Sequence, residues 1–227
     1  MMRRTFDELP AGMRHAEVKR YYDILEKRRA ALRIKRGFDV FFSAVLLGIL
    51  GIPMLFIAAA IRLDSPGGVF YRQVRITQYG KRFRIHKFRT MRKDADRIGT
   101  AVTVSEDPRI TRVGRFLRKY RLDELPQLID VLEGNMSFVG TRPEVPQYVK
   151  KYTKEMRATL LLPAGITSAA SIEYKDEASL LDGAEDPEKV YIRRILPEKM
   201  KINLRELECF GLLRDLGTMF RTVRAVL

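Results

Sequence analysis

Hydrophobic and polar positions follow three rhythms along this chain. From Val40 to Ile61 the run VFFSAVLLGILGIPMLFIAAAI carries 22 residues without a charge. At about 1.5 Å per residue it could reach across roughly 30 Å of hydrocarbon. It lies far from the N-terminus and lacks a small-residue cleavage pattern before Arg62, which excludes a cleavable signal peptide. A second rhythm occupies the C-terminal end. Ile202, Leu207, Phe210, Leu213, Leu216, Phe220 and Val223 recur at helical spacing between Lys199, Lys201, Arg205, Arg214, Arg221 and Arg224. That pattern predicts one basic amphipathic helix or a pair, docked at a membrane interface, packed on the domain, or both. The third rhythm is alternation. Val69–Val74 and Phe83–Arg89, around a turn at Gln78–Lys81, predict two strands with one wet face, and Met136–Val139 predicts another. Asp64–Gly68 reads as a turn and Met91–Arg97 as helical.

The apolar run is flanked by cations on both sides: residues 1–36 hold 11 Lys and Arg, and residues 62–97 also hold 11. Positive loops stay cytoplasmic, so both flanks favour the same face. A straight helix cannot satisfy that. Pro53, two residues after Gly51, removes a backbone donor and crowds the preceding turn. The expectation is a re-entrant helical hairpin broken at Pro53, with Ser43 among the groups able to satisfy freed backbone. The alternative is a kinked transmembrane helix. Glu17–Arg36, helix-forming and cationic, is expected to lie along anionic membrane lipid.

Composition narrows the chemistry. A chain of 227 residues suits one core, and 46% hydrophobic with 31% charged residues excludes a disordered polar tail. The net charge of +15 seeks phosphate in some form. The single cysteine, Cys209, excludes an internal disulfide and a cysteine metal cluster; its apolar surroundings predict a small packing residue. His15 and His86 are the only histidines, which leaves little for a zinc site. Walker-type, Rossmann and zinc spacings are absent.

Candidate chemistry concentrates between Gly114 and Gln127. Pro126 is tolerated only in a first turn, so a helix should start near Leu122 or Asp123 and close at Gly134. Asp123 and Glu124 would then sit at a positive helix end behind Arg115, Arg118, Lys119 and Arg121, which would keep a carboxylate ionised and supply donors to phosphate. An N-cap aspartate needs no catalytic role, so a purely structural account stays open. Gly140-Thr-Arg-Pro-Glu144 forms a rigid turn that presents an exposed Arg142, either to a pyrophosphate or simply to solvent. Asp94-Ala-Asp96 has the form of a metal-binding D-x-D, but among Arg92, Lys93 and Arg97 it reads as a solvated face.

Taken together, these residues resemble the bacterial sugar transferase family, the monotopic polyprenyl-phosphate phosphoglycosyl transferases. The resemblance runs from about Lys35 to the C-terminus. It includes Lys35-Arg-Gly-Phe-Asp39, Ser65-Pro-Gly67, Lys87-Phe-Arg-Thr-Met91, Leu122-Asp-Glu-Leu-Pro-Gln127, Gly134-Asn-Met-Ser137 and Val139-Gly-Thr-Arg-Pro143. Each is weak alone; their order and spacing are specific. The resemblance implies that Asp123 is a nucleophile attacking the β-phosphorus of a nucleoside diphosphate sugar, UDP being the family expectation. A polyprenyl phosphate, expected to be undecaprenyl phosphate, then takes the sugar phosphate in the first step of a cell-surface glycoconjugate. Glu124 matches the partner carboxylate, which would either hold Mg2+ with Asp123 or accept the lipid phosphate's proton. Arg118 matches a phosphate-binding arginine and Arg142 lies in the nucleotide-contacting loop. Asp215 matches a recurrent aspartate expected to be structural. The implied location is the bacterial inner membrane with the site on its cytoplasmic face. The resemblance also implies the family's minimal form, without a multi-spanning N-terminal domain.

Three departures from the family pattern bear on specificity. Thr141 stands for a common proline, Tyr120 and Arg121 for common small hydroxyl residues, and Ala169–Glu177 for a glycine-rich loop. The implied fold is α+β: a helix-rich cytoplasmic domain with a small β-sheet (64–227), a re-entrant membrane helix (35–63) and a basic N-terminal helical segment (1–34). Expected partners are the nucleotide sugar, polyprenyl phosphate and anionic lipid, with no nucleic acid and with a homodimer left open. Two rival classes are a membrane-attached metal-dependent phosphohydrolase and a non-enzymatic basic adaptor or nucleic-acid binder.

Overall fold

The computed structural model describes residues 1–2, 4–93, 95 and 107–226. Asp94 and Asp96 and the end of the expected 91–97 helix fall outside the described residues; the start of that stretch is not helical, because Met91 forms an antiparallel bridge with Ile110. Helix α1 (Ala16–Glu26) turns Val18, Tyr21, Tyr22 and Leu25 inward. That apolar side is consumed by the main core rather than by lipid: it packs with Leu161, Leu196, Met200 and Leu204.

Helix α2 (Arg29–Asp64) is the dominant element, 36 residues long with Pro53 inside it. It starts six residues before the expected boundary at 35, so the cationic segment and the apolar run share one helix. Among the described residues it is the one helix long and apolar enough to cross a membrane. Phe41, Ile49, Ile52, Leu55 and Phe56 face outward along it.

Both ends of α2 are fastened to the same domain. At the N-terminal flank Lys35 Nζ lies 2.5 Å from Asp215 Oδ2. Arg36 donates to the carbonyls of Val131 at 2.6 Å and Leu132 at 2.9 Å, closing off exposed acceptors where α4 (Gln127–Glu133) ends. Asp39 Oδ1 accepts from Ser137 Oγ and from the Phe138 amide. At the other flank Ile61 is buried with Phe88 and Leu117, and Asp64 accepts from the Val113 amide at 3.0 Å. The Lys35–Asp39 motif is thus a set of clamps.

The strands are shorter and more broken than alternation predicts. β1 (Phe70–Tyr71) pairs antiparallel with β4 (Lys87–Phe88), and β2 (Val74–Ile76) with β3 (Arg82–Arg84). β5 (Met136–Val139) pairs with β6 (Ala164–Thr167) in parallel. The expected small sheet is therefore three two-stranded ladders. Two glycines make the third ladder's end possible: a Cβ on Gly165 would stand 2.2 Å from the Gly140 backbone.

Helix α3 (Arg112–Lys119) precedes the 3-10 turn Leu122–Glu124, and α4 follows. The expected helix start is accordingly divided: the turn begins at Leu122, while α4 proper begins only after Pro126. Gly134 closes α4 at φ 86°, a conformation that favours glycine. Short helices α5 (Pro146–Val149), α6 (Ala169–Glu173) and α7 (Pro187–Val190) lead through a π turn into α8 (Leu196–Glu208). The C-terminal pattern is a pair of helices with different fates. α8 buries Leu204 and Leu207 in the core, while α9 (Leu212–Val226) leaves Leu213, Phe220 and Val223 exposed. Cys209, between them, is exposed rather than packed.

Candidate functional site

The turn that carries the two acids is set by Arg121, whose φ of 54° lies in the left-handed region. That conformation costs a non-glycine residue about 1 kcal/mol and directs Leu122–Glu124 into a tight 3-10 turn. Asp123 and Glu124 both come to rest mostly buried, facing β4 and the Arg142 loop.

Glu124 is saturated by cations. Both terminal nitrogens of Arg142 donate to it, Nη1 reaching Oε2 at 3.0 Å and Nη2 reaching Oε1. Lys87 Nζ donates to Oε1 at 2.8 Å, and Arg121 Nη1 stands 3.9 Å away. Burial would raise the Glu124 carboxyl, but Arg142 and Lys87 outweigh it and hold the group well below the usual carboxylate range. The same contact raises the Arg142 guanidinium above its ordinary value, with burial opposing.

Asp123 is different. Its nearest cation is Lys87 at 3.8 Å, and among the described residues no hydrogen bond reaches its carboxylate. About a tenth of the side chain (9%) stays open. Burial pushes its carboxyl up, with Glu124 adding to the rise and Lys87, Arg118 and Arg142 opposing it. Two adjacent acids thus have opposite character: one neutralised and fixed, the other desolvated and unbonded. An anion short of hydrogen bonds is a strong nucleophile, and the cations around it can balance incoming phosphate charge.

Arg118 stands behind this pair, its Nε donating to Thr90 Oγ1 at 2.9 Å. Gly114 permits that approach, because a Cβ there would meet the Thr90 carbonyl at 2.0 Å. Beyond Thr90 the guanidinium has no hydrogen-bond partner among the described residues, and burial lowers its pKa. Arg142, expected as an exposed grip on pyrophosphate, is half-buried and occupied: it holds Glu124 and donates to the Ile166 carbonyl at 3.2 Å. Lys87 was not singled out by residue pattern. Its signal is faint, a cation in an alternating strand where several other cations simply face water.

The metal expectation can be compared with two sets of groups. Asp123 offers oxygens with no donor on them, and Mg2+ commonly takes one or two carboxylates together with substrate phosphate. These residues fit such an ion on the Asp123 side, with Glu124 already engaged. Separately, His86, Asp130 and Glu133 have ligand atoms within 4.8 Å of one another and could hold a divalent cation. There the Asp130 carboxylate already accepts from the His86 amide at 2.8 Å and contacts Nδ1 at 2.9 Å.

Pro53 lies inside α2, away from these groups in sequence, and the helix runs on through it from Arg29 to Asp64. Asp215 acts on the same helix through Lys35.

The chain is similar to several known proteins. The chain is 50% identical over 112 residues to the exopolysaccharide production protein PSS of Rhizobium leguminosarum, covering 49% of this chain and 56% of that one. It is 35% identical over 196 residues to a UDP-glucose:undecaprenyl-phosphate glucose-1-phosphate transferase of Caulobacter vibrioides, covering 85% and 69%. It is 33% identical over 197 residues to the UDP-N-acetylgalactosamine-undecaprenyl-phosphate N-acetylgalactosaminephosphotransferase of Aeromonas hydrophila, covering 86% of this chain but 44% of that protein. Bacterial sugar transferase is also the family matched over residues 30–227, and a match running from the first turn of α2 through the acid pair to the C-terminal helices makes this chain a member of it.

Proposed function

We propose that this protein transfers a sugar 1-phosphate from a nucleoside diphosphate sugar to a polyprenyl phosphate at the cytoplasmic face of a bacterial inner membrane, initiating a cell-surface glycoconjugate such as an exopolysaccharide. A UDP-sugar and undecaprenyl phosphate are the expected substrates, as in the names of the Caulobacter and Aeromonas relatives. The observation that carries this reading is the unbonded Asp123 carboxylate, set among Lys87, Arg118, Arg121 and Arg142.

The reaction divides into two displacements. An Asp123 oxygen attacks the β-phosphorus, the bond from that phosphorus to the bridging oxygen breaks, and nucleoside monophosphate leaves with the electron pair. The aspartyl phosphosugar remains. A phosphate oxygen of the carrier then attacks the same phosphorus, the bond to Asp123 breaks, and the carboxylate is regenerated. Polyprenyl diphosphate sugar is the product, and no oxidant or reductant is needed. Arg118, whose terminal nitrogens have no hydrogen-bond partner among the described residues, binds the phosphate oxygens; Arg142 and Lys87 hold Glu124 in place and shield the anions from one another. Mg2+, held on the Asp123 side together with substrate phosphate, would neutralise charge on the diphosphate.

The membrane topology belongs to the same proposal. α2 enters the cytoplasmic leaflet and returns, bent at Pro53, with residues 1–34 and α9 at the lipid surface. Support comes from the two flanks of the apolar run, since Lys35–Asp39 and Ile61–Asp64 are both bound to one domain. The outward-facing apolar residues between them, and the exposed Leu213 and Phe220 beside cations on α9, fit hydrocarbon and anionic headgroups.

Intact mass measurement of protein mixed with nucleotide sugar alone is the test. The wild type should gain one phosphosugar, mapping to Asp123, and Asp123→Asn should gain none while staying in the membrane fraction. An adduct on another residue would overturn the assignment. Nucleoside monophosphate release that ignores polyprenyl phosphate would favour a phosphohydrolase.

A further inference from the structure

Helix α3 buries one face and leaves two aromatic rings open on the other. Its Leu117 is buried with Ile61 of α2 and Phe88 of β4, and its Gly114 presses on Thr90. Yet Phe116 is 56% exposed and Tyr120, just past the helix, 38% exposed. The two rings are in contact, centroids 5.0 Å apart, and Lys119 Nζ lies 5.4 Å above the Tyr120 ring. Two touching aromatics left in solvent beside a cation are unusual, because each ring forgoes burial. The helix that carries them is fastened to the C-terminal end of α2, where Asp64 accepts from the Val113 amide and Ile61 packs on Leu117.

The next residue in the chain is Arg121. Of the cations in contact with Glu124 it is the loosest and most open. Its side chain is 42% exposed, against 21% for Lys87 and 27% for Arg142. Its contacts are long, 3.9 Å to Glu124 and 3.5 Å to the Lys175 carbonyl. The left-handed backbone at Arg121 is what turns the chain from the exposed rings to the buried acids within three residues. Strain held next to reacting groups, where another residue could relax it, points to use.

We infer that Phe116, Tyr120 and Arg121 form the approach for the lipid acceptor: Arg121 receives the phosphate of the polyprenyl phosphate and the two rings receive its first isoprene units. The assignment rests on the transferase reading above. It follows from chemistry that changes along one short path, apolar at the helix end, cationic at the rim, then the Asp123 carboxylate. A lipid phosphate has the same order of parts. The cations Lys87 and Arg142 are committed to Glu124 and Arg118 to the first phosphate, which leaves Arg121 to meet the second phosphate that visits Asp123.

The test separates the two displacements. Protein carrying the phosphosugar adduct is freed of nucleotide, given undecaprenyl phosphate or farnesyl phosphate in detergent, and followed by loss of the adduct. Arg121→Asn tolerates the left-handed backbone and Arg121→Gly relaxes it, so both remove the cation without misfolding the turn. Each should lower the ratio of discharge rate to adduct-formation rate by about tenfold or more, as expected for a lost charged hydrogen bond. The double variant Phe116→Ala/Tyr120→Ala should lose the wild-type preference for the longer carrier. An equal slowing of both half-reactions in Arg121→Asn would assign Arg121 to the nucleotide, and an unchanged ratio would remove it from substrate binding; either overturns the inference. So would a double variant that loses binding to carrier-free vesicles yet keeps its chain-length preference, since the rings would then be a membrane anchor only. Absence of any adduct in the wild type would instead fail the transferase reading itself.

Discussion

Lys87 on β4 donates to Glu124 at 2.8 Å while standing 3.8 Å from Asp123. One ammonium therefore serves two acids unequally: it is bonded to the partner carboxylate and only electrostatically coupled to the nucleophile. Burial pushes the Lys87 ammonium down, and Glu124 and Asp123 pull it back up. The consequence is directional. Removing the cation makes the Asp123 anion harder to form, so the Asp123 carboxyl rises further. In Lys87→Met, adduct formation should fall, and the acid limb of its pH profile should move to higher pH, because the reactive form is the anion. Lys87→Arg should retain most of the wild-type limb. A profile in Lys87→Met that keeps its shape and merely drops in height would show that Lys87 does not tune Asp123.

Arg142 grips Glu124 through both terminal nitrogens, a forked contact that lysine cannot reproduce although it keeps the charge. Arg142→Lys should reduce kcat by roughly tenfold to a hundredfold, since each charged hydrogen bond is worth about 1.5–3 kcal/mol. Melting temperature should change little, as the lysine still neutralises Glu124. A variant with unchanged kcat and raised KM for nucleotide sugar would mean that Arg142 contacts substrate rather than fixing the acid.

Much of this arrangement could be read from residue order, and the misses have identifiable causes. The apolar run, the Gly134 stop and the β5 strand are local signals, carried by composition, by a positive φ and by a short apolar block. Sheet pairing is not local. β6 was missed because Ala164-Gly-Ile-Thr167 is only four residues long and half of it is Ala and Gly, and it pairs with β5 where Gly140 and Gly165 let two backbones touch. Alternation over 69–74 and 83–89 overstated the strands, since it records which face is wet but not where the ladder breaks. At the acid pair, local pattern placed Asp123 and Glu124 beside cations without distinguishing them, and only the family resemblance separated nucleophile from partner. Their division into a saturated and an unbonded carboxylate depends on Lys87 and Arg142, 36 residues before and 18 residues after. Cys209 was misjudged because its apolar neighbours belong to two helices that diverge there.

The Lys35–Asp215 pair joins the membrane-length helix to α9 with both side chains largely buried, 5% and 16% exposed. Breaking such a pair leaves one charge stranded, at about 3–5 kcal/mol, whereas replacing both partners by apolar residues is often neutral. Lys35→Met and Asp215→Leu should each lower the melting temperature of detergent-solubilised protein, and the double variant should recover most of the loss. Additive losses would indicate that the pair is not coupled.

Ile34 and Leu63 flank the apolar run and are both exposed, which makes them better topology probes than Lys35, whose ammonium is committed to Asp215. Exposed Cys209 would report in the same assay, so it is first replaced by serine. Single cysteines at the two flanks should then react with a membrane-impermeant thiol reagent from the same side, the cytoplasmic one. The argument is mechanical: one domain holds both flanks, and a domain cannot stand on two sides of a bilayer. Pro53→Ala restores a backbone donor at the proposed bend and removes the ring that crowds the preceding turn. The helix should straighten, activity should fall by more than the melting temperature suggests, and the label at Leu63 should lose its accessibility or change sides. Labelling of the two flanks from opposite faces in the unmodified helix would mean that α2 crosses the membrane outright, and the clamps at Lys35–Asp39 and Ile61–Asp64 could not both persist in that state.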